Sequence, residues 1–334
     1  MVFRETMTVN KNISIILAPF SIGGPNNAAK EGPKALMSNG LEDDLKELGF
    51  NVNIIKPGRD IIHYVSSYKQ TNEKNRIKNM DAIIKINEWL ARIVSDEIKN
   101  GSVPLTIGGD HSLAIGTIAG IRNVLNNVGV LWIDRHFDAH SPKNTPSWRA
   151  HGMPVSVAIT DKNYDPHPDF QKLLKIGCTD RVSLSLPKIK PENFVQIAIG
   201  EKSHLKPNTK WFSMEHIDRD GIKKVTDDAL NYLFKRVKYV YIAWDIDSMS
   251  VTGTGTSGDG QLTLREGLVI AREINKRIRL SGKLAGFEIM EVAPKLERKE
   301  LKGQTVDWAI QLITTCFGGD LFNNLSRLKR NIRV

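Results

Sequence analysis

The stretch Val128-Gly129-Val130-Leu131-Trp132-Ile133-Asp134-Arg135-His136-Phe137-Asp138 decides the fold. Its first six residues carry no charged side chain, and acidic residues and a histidine follow at once. A strand that is apolar on consecutive positions is covered on both faces, as in a parallel sheet between helices, whereas a half-exposed strand alternates. Working outward, further strands are expected at Ile13–Ala18, Asn51–Ile55, Val103–Gly108, Phe194–Ile199, Val240–Asp245 and Lys283–Met290. Helical patterns separate them. Between Thr71 and Lys99, Met80, Ile83, Ile86, Leu90 and Ile93 recur at three- and four-residue spacing. Thr263-Leu264-Arg265-Glu266 forms a capping box opening a helix toward Leu280, and Gln304–Cys316 reads as a helix closed by Gly318-Gly319. Strand–helix alternation without a repeat, composition break or long linker predicts one α/β domain with a mostly parallel sheet, residues 1–11 and 320–334 being expected tails.

The 334 residues are 40% hydrophobic and 25% charged, with 26 glycines and 14 prolines, which excludes collagen-like, low-complexity and largely disordered chains. No apolar run approaches the roughly 18 residues that cross a bilayer. The polar start, Met1 to Lys11, shows no secretory signal, and two cysteines, Cys178 and Cys316, make no disulfide framework, so a cytoplasmic protein is expected. The net charge of +10 raises the question of an anionic partner. The basic residues are spread along the chain, and Arg327-Leu328-Lys329-Arg330 is only a short cluster, so neither nucleic acid nor membrane is the expected partner.

In parallel sheets the chemistry sits in loops beyond the carboxyl ends of the strands. Three such ends carry polar motifs: Gly108-Gly109-Asp110-His111, Asp134-Arg135-His136-Phe137-Asp138 and Asp245-Ile246-Asp247. Residues i and i+2 of a strand project to one side, which pairs Asp134 with His136 and Asp245 with Asp247. Carboxylates meeting at a sheet edge repel one another unless a cation neutralises them. Each motif has a plainer reading alone: Asp-x-Asp as a cap or solvated turn, Gly-Gly-Asp-His-Ser as a turn with Asp110 or Ser112 as N-cap. Three motifs at successive strand ends, with four of the eight histidines between positions 111 and 151, favour a metal site. Oxygen and imidazole donors without thiolate suit manganese, with zinc, iron and cobalt as alternatives.

These motifs, with Leu17-Ala18-Pro19-Phe20, Gly32-Pro33, His151-Gly152-Met153-Pro154 and Met290-Glu291-Val292-Ala293-Pro294 in order, make the chain resemble the arginase family of ureohydrolases, which includes agmatinase and guanidinobutyrase. The resemblance implies a three-layer α/β/α fold, shared broadly with deacetylases, a binuclear manganese site with two Mn2+ per subunit, and a homotrimer or hexamer. It assigns one ion to His111, Asp134, Asp138 and Asp245, and the other to His136, Asp134, Asp245 and Asp247. It further implies hydrolysis of a guanidino group to urea and an amine by a metal-bridging hydroxide. His151 matches the proton-shuttling histidine, Asp138 can orient the hydroxide, and Glu291 matches the guanidinium-binding carboxylate. Thr256, in Thr254-Gly255-Thr256, matches a loop near the second metal. All six ligands are present, which argues against a non-catalytic metal-binding regulator.

The loop from Asp138 to His151 departs from the arginase pattern. Ser147 is retained, but His140 and Arg149 occupy two asparagine positions, and Ser203 stands where an aspartate would hold an α-amino group. Loss of that acceptor and gain of a guanidinium fork favour a guanidino acid such as 4-guanidinobutanoate over L-arginine, with arginase as the alternative. Arg135 replaces a small residue between Asp134 and His136, and its side chain is expected to project away from the metals.

Overall fold

A computed structural model describes residues 10–178, 184–201, 206–256 and 260–320. Ser203 and most of the two expected tails lie outside the described residues. Among the described residues eight strands build one sheet: β1 (Asn12–Ala18), β2 (Asn51–Ile55), β3 (Val103–Gly108), β4 (Val128–Ile133), β5 (Phe194–Ile199), β6 (Lys210–Ser213), β7 (Tyr239–Asp245) and β8 (Leu284–Met290). Their order is β2-β1-β3-β8-β7-β4-β5-β6, and all seven pairings are parallel. Seven strands fall where the sequence places them; β6, a short edge strand, is an addition to the sequence pattern.

Consecutive strand residues serve opposite faces. In β4, Leu131 and Ile133 pack with the helices Ile222–Phe234, Leu264–Ile274 and Gln304–Cys316, while Val128, Val130 and Trp132 pack with Met80–Lys99, Ala114–Val124 and Pro168–Lys175. Two apolar layers therefore sandwich the sheet, giving the three-layer α/β/α architecture. The Thr263–Glu266 capping box forms with both reciprocal bonds. The long helix starts at Met80 rather than near Thr71, because Asn79 has φ 60° and exchanges hydrogen bonds with Thr71, closing the preceding segment as a loop. The helix expected to run to Leu280 is α-helical over Leu264–Ile274 and then widens into a π turn over Asn275–Arg279.

The four central strands, β3, β8, β7 and β4, bring the polar motifs together at their carboxyl ends. Strands β1 and β2 extend the sheet on one side and β5 and β6 on the other, so these ends flank the place where the strand order reverses.

Candidate metal centre

Beyond β3 the chain turns against the β1 loop so closely that a side chain on Gly109 would overlap the Phe20 carbonyl. Asp110 accepts hydrogen bonds from the Gly23 and Ser112 amides at 2.9 and 3.0 Å, so it caps the turn His111–Leu113. The capping reading of Asp110 therefore holds, and it leaves His111 free to face inward. The His111 Nδ1 lies 3.0 Å from Asp245, 3.1 Å from Asp134 and 3.3 Å from Asp138. Its ring is stacked on Trp132, whose indole N–H donates to Asp134 at 2.8 Å.

Beyond β4 the two-residue period sets Asp134 and His136 side by side. The His136 Nδ1 is 3.0 Å from Asp247 and 3.6 Å from Asp134. Asp138 returns to the cluster because its backbone is left-handed, with φ 49°. Beyond β7, Asp245 accepts the Asp247 amide at 2.8 Å, and Asp247 accepts the Thr256 hydroxyl at 2.5 Å. The result is two donor groups, His111–Asp134–Asp245 and Asp134–His136–Asp247, each with its donor atoms within 4.8 Å of one another and with Asp134 in common.

The electrostatics show what this cluster lacks. Burial, the neighbouring Asp247 and Asp134 push Asp245 well above the usual carboxylate range, and burial with Asp134 lifts Asp138 to about 7. Against the pull of burial, Asp247 and Asp134 raise His136 to about 12, and the three aspartates around His111 raise that imidazole too. Burial opposes ionisation of Asp134, yet His111 and His136 hold it below its ordinary value. Four buried carboxylates share two imidazoles, and the buried Asp247 Oδ1 has no hydrogen-bond partner. A divalent cation among oxygen and imidazole donors answers both deficits, so the residues present fit a metal of the manganese or zinc kind.

The remaining site residues surround the cluster. Glu291 has φ 63°; its Oε1 accepts the His111 amide at 3.0 Å, while its buried Oε2 has no partner. A Cβ on Gly255 would overlap that Oε2, so glycine keeps the space open. Burial first, then Asp245 and Asp110, push the Glu291 carboxyl well above its usual range. The His151 amide and Nδ1 both meet the Gly23 carbonyl, at 3.2 and 3.0 Å, and burial lowers the ring's affinity for a proton. Arg149 donates from Nη1 to the Gly24 carbonyl at 2.5 Å, and the Ser147 hydroxyl accepts the Arg149 amide at 3.3 Å. His140 holds its backbone to Gly152, and its buried Nδ1 has no hydrogen-bond partner. The Arg135 carbonyl accepts the Gly200 and Glu201 amides, which ties the β4 and β5 loops together. The motifs alone do not single out Trp132; its position two residues before Asp134 on the same strand face is the available signal.

A model of the arginase family matches residues 11–318. Arginase-1 of Homo sapiens is 37% identical over 320 residues, covering 92% of this chain and 94% of the human one. An arginase of Staphylococcus aureus is 33% identical, covering 94% of this chain and all of its own. Among solved structures, native arginase from Bacillus caldovelox superposes with a TM-score of 0.79 at 30% identity, over 93% of this chain and 99% of its own. The fold, the paired donor groups at the switch of strand order and the length of these matches agree, and the chain belongs to the arginase family.

Proposed function

We propose that this ureohydrolase cleaves the guanidino group of L-arginine to urea and L-ornithine, using two divalent ions, manganese by preference, at the His111 and His136 groups. The observation that carries the reading is the open Oε2 of Glu291, a buried acceptor on the carboxyl whose other oxygen binds the His111 amide. A guanidinium presents paired N–H donors that match a carboxylate edge. When bound, such a pair of ions supplies a nucleophilic water at neutral pH.

The chain's own residues do the rest. Glu291 grips the guanidinium, and its left-handed backbone aims the carboxyl while the Gly255 backbone leaves room. The His151 Nδ1–H donates to a carbonyl, which can only accept, so Nε2 is the atom that takes up and returns a proton. Because burial keeps this imidazole neutral at pH 7, it regains that state after protonating the leaving amine. Asp138 stands beside His111 as the third carboxylate and, ionised once a cation is held there, can accept a hydrogen bond from the attacking water.

L-Arginine takes precedence over a guanidino acid because the relatives that match along the whole chain carry the name arginase, and because Arg149 spends one arm on the Gly24 carbonyl. The second reading, 4-guanidinobutanoate, is favoured by the unpartnered Nδ1 of His140, which offers a polar contact in the loop that departs from arginases. Urea release from manganese-loaded protein on L-arginine, 4-guanidinobutanoate, 3-guanidinopropionate and agmatine decides between them. A kcat/KM highest for L-arginine supports the first reading, a preference for a guanidino acid the second, and no urea from any of the four rejects both.

A further inference from the structure

Beneath the metal centre the sheet encloses a polar cluster that the proposed reaction does not use. Glu288 lies in β8, level with Thr106 of β3 on one side and Ala243 of β7 on the other, and is completely buried. Neither of its oxygens closes a well-formed hydrogen bond; the Tyr241 and Thr117 hydroxyls stand beside it, and the Thr106 hydroxyl is buried without a hydrogen-bond partner. The nearby His111 Nε2, 3.7 Å from Glu288 Oε1, is buried and unbonded as well.

This is an expensive arrangement if its only role is to fill space. A carboxyl group in the middle of a parallel sheet loses its hydration, and the neighbouring Tyr241 and Thr117 hydroxyls offer only neutral donors in return. An apolar side chain would fit the neighbouring Phe287 and Ile289 better, both of them fully buried in the core. What Glu288 does have is a direction. The His111 Nδ1 is surrounded by three aspartates, so only Nε2 is left to face into the sheet. The flat stack on Trp132 confines the ring to one plane, which keeps Nε2 pointed at Glu288. An imidazole that ligates a metal through one nitrogen needs an acceptor for the N–H of the other; that acceptor fixes the tautomer and raises the donor strength of the ligating atom. A shift of under about 1 Å closes the 3.7 Å gap to hydrogen-bond length.

We propose that Glu288 is the positioning residue of the His111 metal group: it accepts the Nε2–H, holds the ring with Nδ1 toward Asp134, Asp138 and Asp245, and strengthens Nδ1 as a donor to a divalent ion. The inference rests on the two-ion reading of the centre. It explains why an isolated acid persists in the sheet interior, where it serves metal affinity at the expense of the metal-free fold.

The test measures manganese affinity and metal-free stability side by side in the full chain, the wild type and the variants Glu288→Gln and Glu288→Leu. Manganese is removed with a chelator and returned by titration; free ion is counted by electron paramagnetic resonance and bound ion by elemental analysis. The wild type is expected to bind two ions. Glu288→Leu is expected to weaken one of them by roughly 10- to 100-fold while sparing the other. Glu288→Gln keeps an acceptor without the charge and is expected to fall between the two. Metal-free Tm is expected to hold or rise in both variants, because a desolvated buried carboxyl has been removed. A merely structural Glu288 would move Tm down and would leave the affinity of the folded protein alone. Two ions held as tightly in both variants as in the wild type would overturn the role of Glu288 while leaving the two-ion centre standing. A lowered metal-free Tm with equal loss of both ions would overturn it too. A wild type that binds no manganese would instead reject the two-ion reading itself, and this inference with it.

Discussion

The His111 imidazole lies flat on the Trp132 indole, ring centroids 4.1 Å apart and planes within 9° of parallel, and the same indole donates its N–H to Asp134. One fully buried side chain of β4 thereby orients candidate ligands that follow two different strands. Trp132→Phe keeps an aromatic face but deletes the donor and leaves a gap. Manganese affinity is expected to fall roughly tenfold, as for other loss of a ligand's hydrogen-bond partner, and stability by about 1–3 kcal/mol. Chelator competition and urea unfolding of the metal-free protein measure the two separately. An affinity equal to wild type would reduce Trp132 to a packing residue.

Gly255 sits against Glu291 with no room for a methyl group. Gly255→Ala must turn the Glu291 carboxyl aside, while no aspartate or histidine side chain of the metal groups lies against the added methyl. We expect manganese content to stay at the wild-type level and kcat/KM to fall by roughly 100-fold, the order that follows from a misplacement of about 1 Å in a reacting site. Steady-state kinetics on L-arginine with metal analysis of the same sample checks both halves. Normal kinetics would remove Glu291 from substrate binding.

Much of this site is legible in the amino-acid sequence, and the reason is periodicity. Consecutive apolar residues mark strands buried on both faces, and acidic pairs at i and i+2 must share a side, so Asp134, His136, Asp245 and Asp247 follow directly. β6 escapes because Lys210–Ser213 is a four-residue edge strand with an exposed first residue, too short to show a period. Asp138 and Glu291 reach the centre through left-handed backbone, which no hydropathy pattern displays. Trp132 and Glu288 are hidden for the opposite reason: each sits inside a run that reads as plain core, and only packing reveals that their polar atoms face ligands.

Removing metal should reverse the pH dependence of stability in one window. In the metal-free fold, burial and Asp134 hold Asp138 at about 7, and burial holds Glu288 at about 7, against 3.8 and 4.5 for the free groups. The folded chain therefore binds these protons more tightly than the unfolded chain, so their contribution is full at low pH and is lost as pH rises through 7. His136, kept near 12 by Asp247 and Asp134 despite burial, adds a loss of the same sign above 6.5. Asp134, held below its usual range, titrates below this window. Bound ions replace the protons of Asp138 and His136, which face the centre, so ion affinity rises over the same interval. The expected result is a metal-free Tm that drops from pH 5 to pH 8 and a gap between loaded and metal-free Tm that widens. Calorimetric scans at both pH values measure it, and a constant gap would contradict metal binding at Asp138 and His136.

Arg149 separates two kinds of role for the departing loop. Its Nη1 holds the Gly24 carbonyl, and the adjacent Gly23 carbonyl holds both the amide and the Nδ1 of His151. The guanidinium thus ties down the same short stretch of the β1 loop that aims His151, the proposed proton carrier. If that tie is its main work, Arg149→Asn loosens His151 in the transition state more than it weakens substrate binding. We expect kcat on L-arginine to fall roughly tenfold with KM changed by less than about threefold, the pattern of an interaction felt mainly in the transition state. A carboxylate clamp would give the reverse: KM would rise for L-arginine and 4-guanidinobutanoate, kcat would hold, and agmatine, which has no carboxylate, would be unaffected. That second pattern would place Arg149 in the substrate pocket as the partner of the carboxylate that both compounds carry, and the choice between them would then rest on their kcat/KM ratio in the wild type.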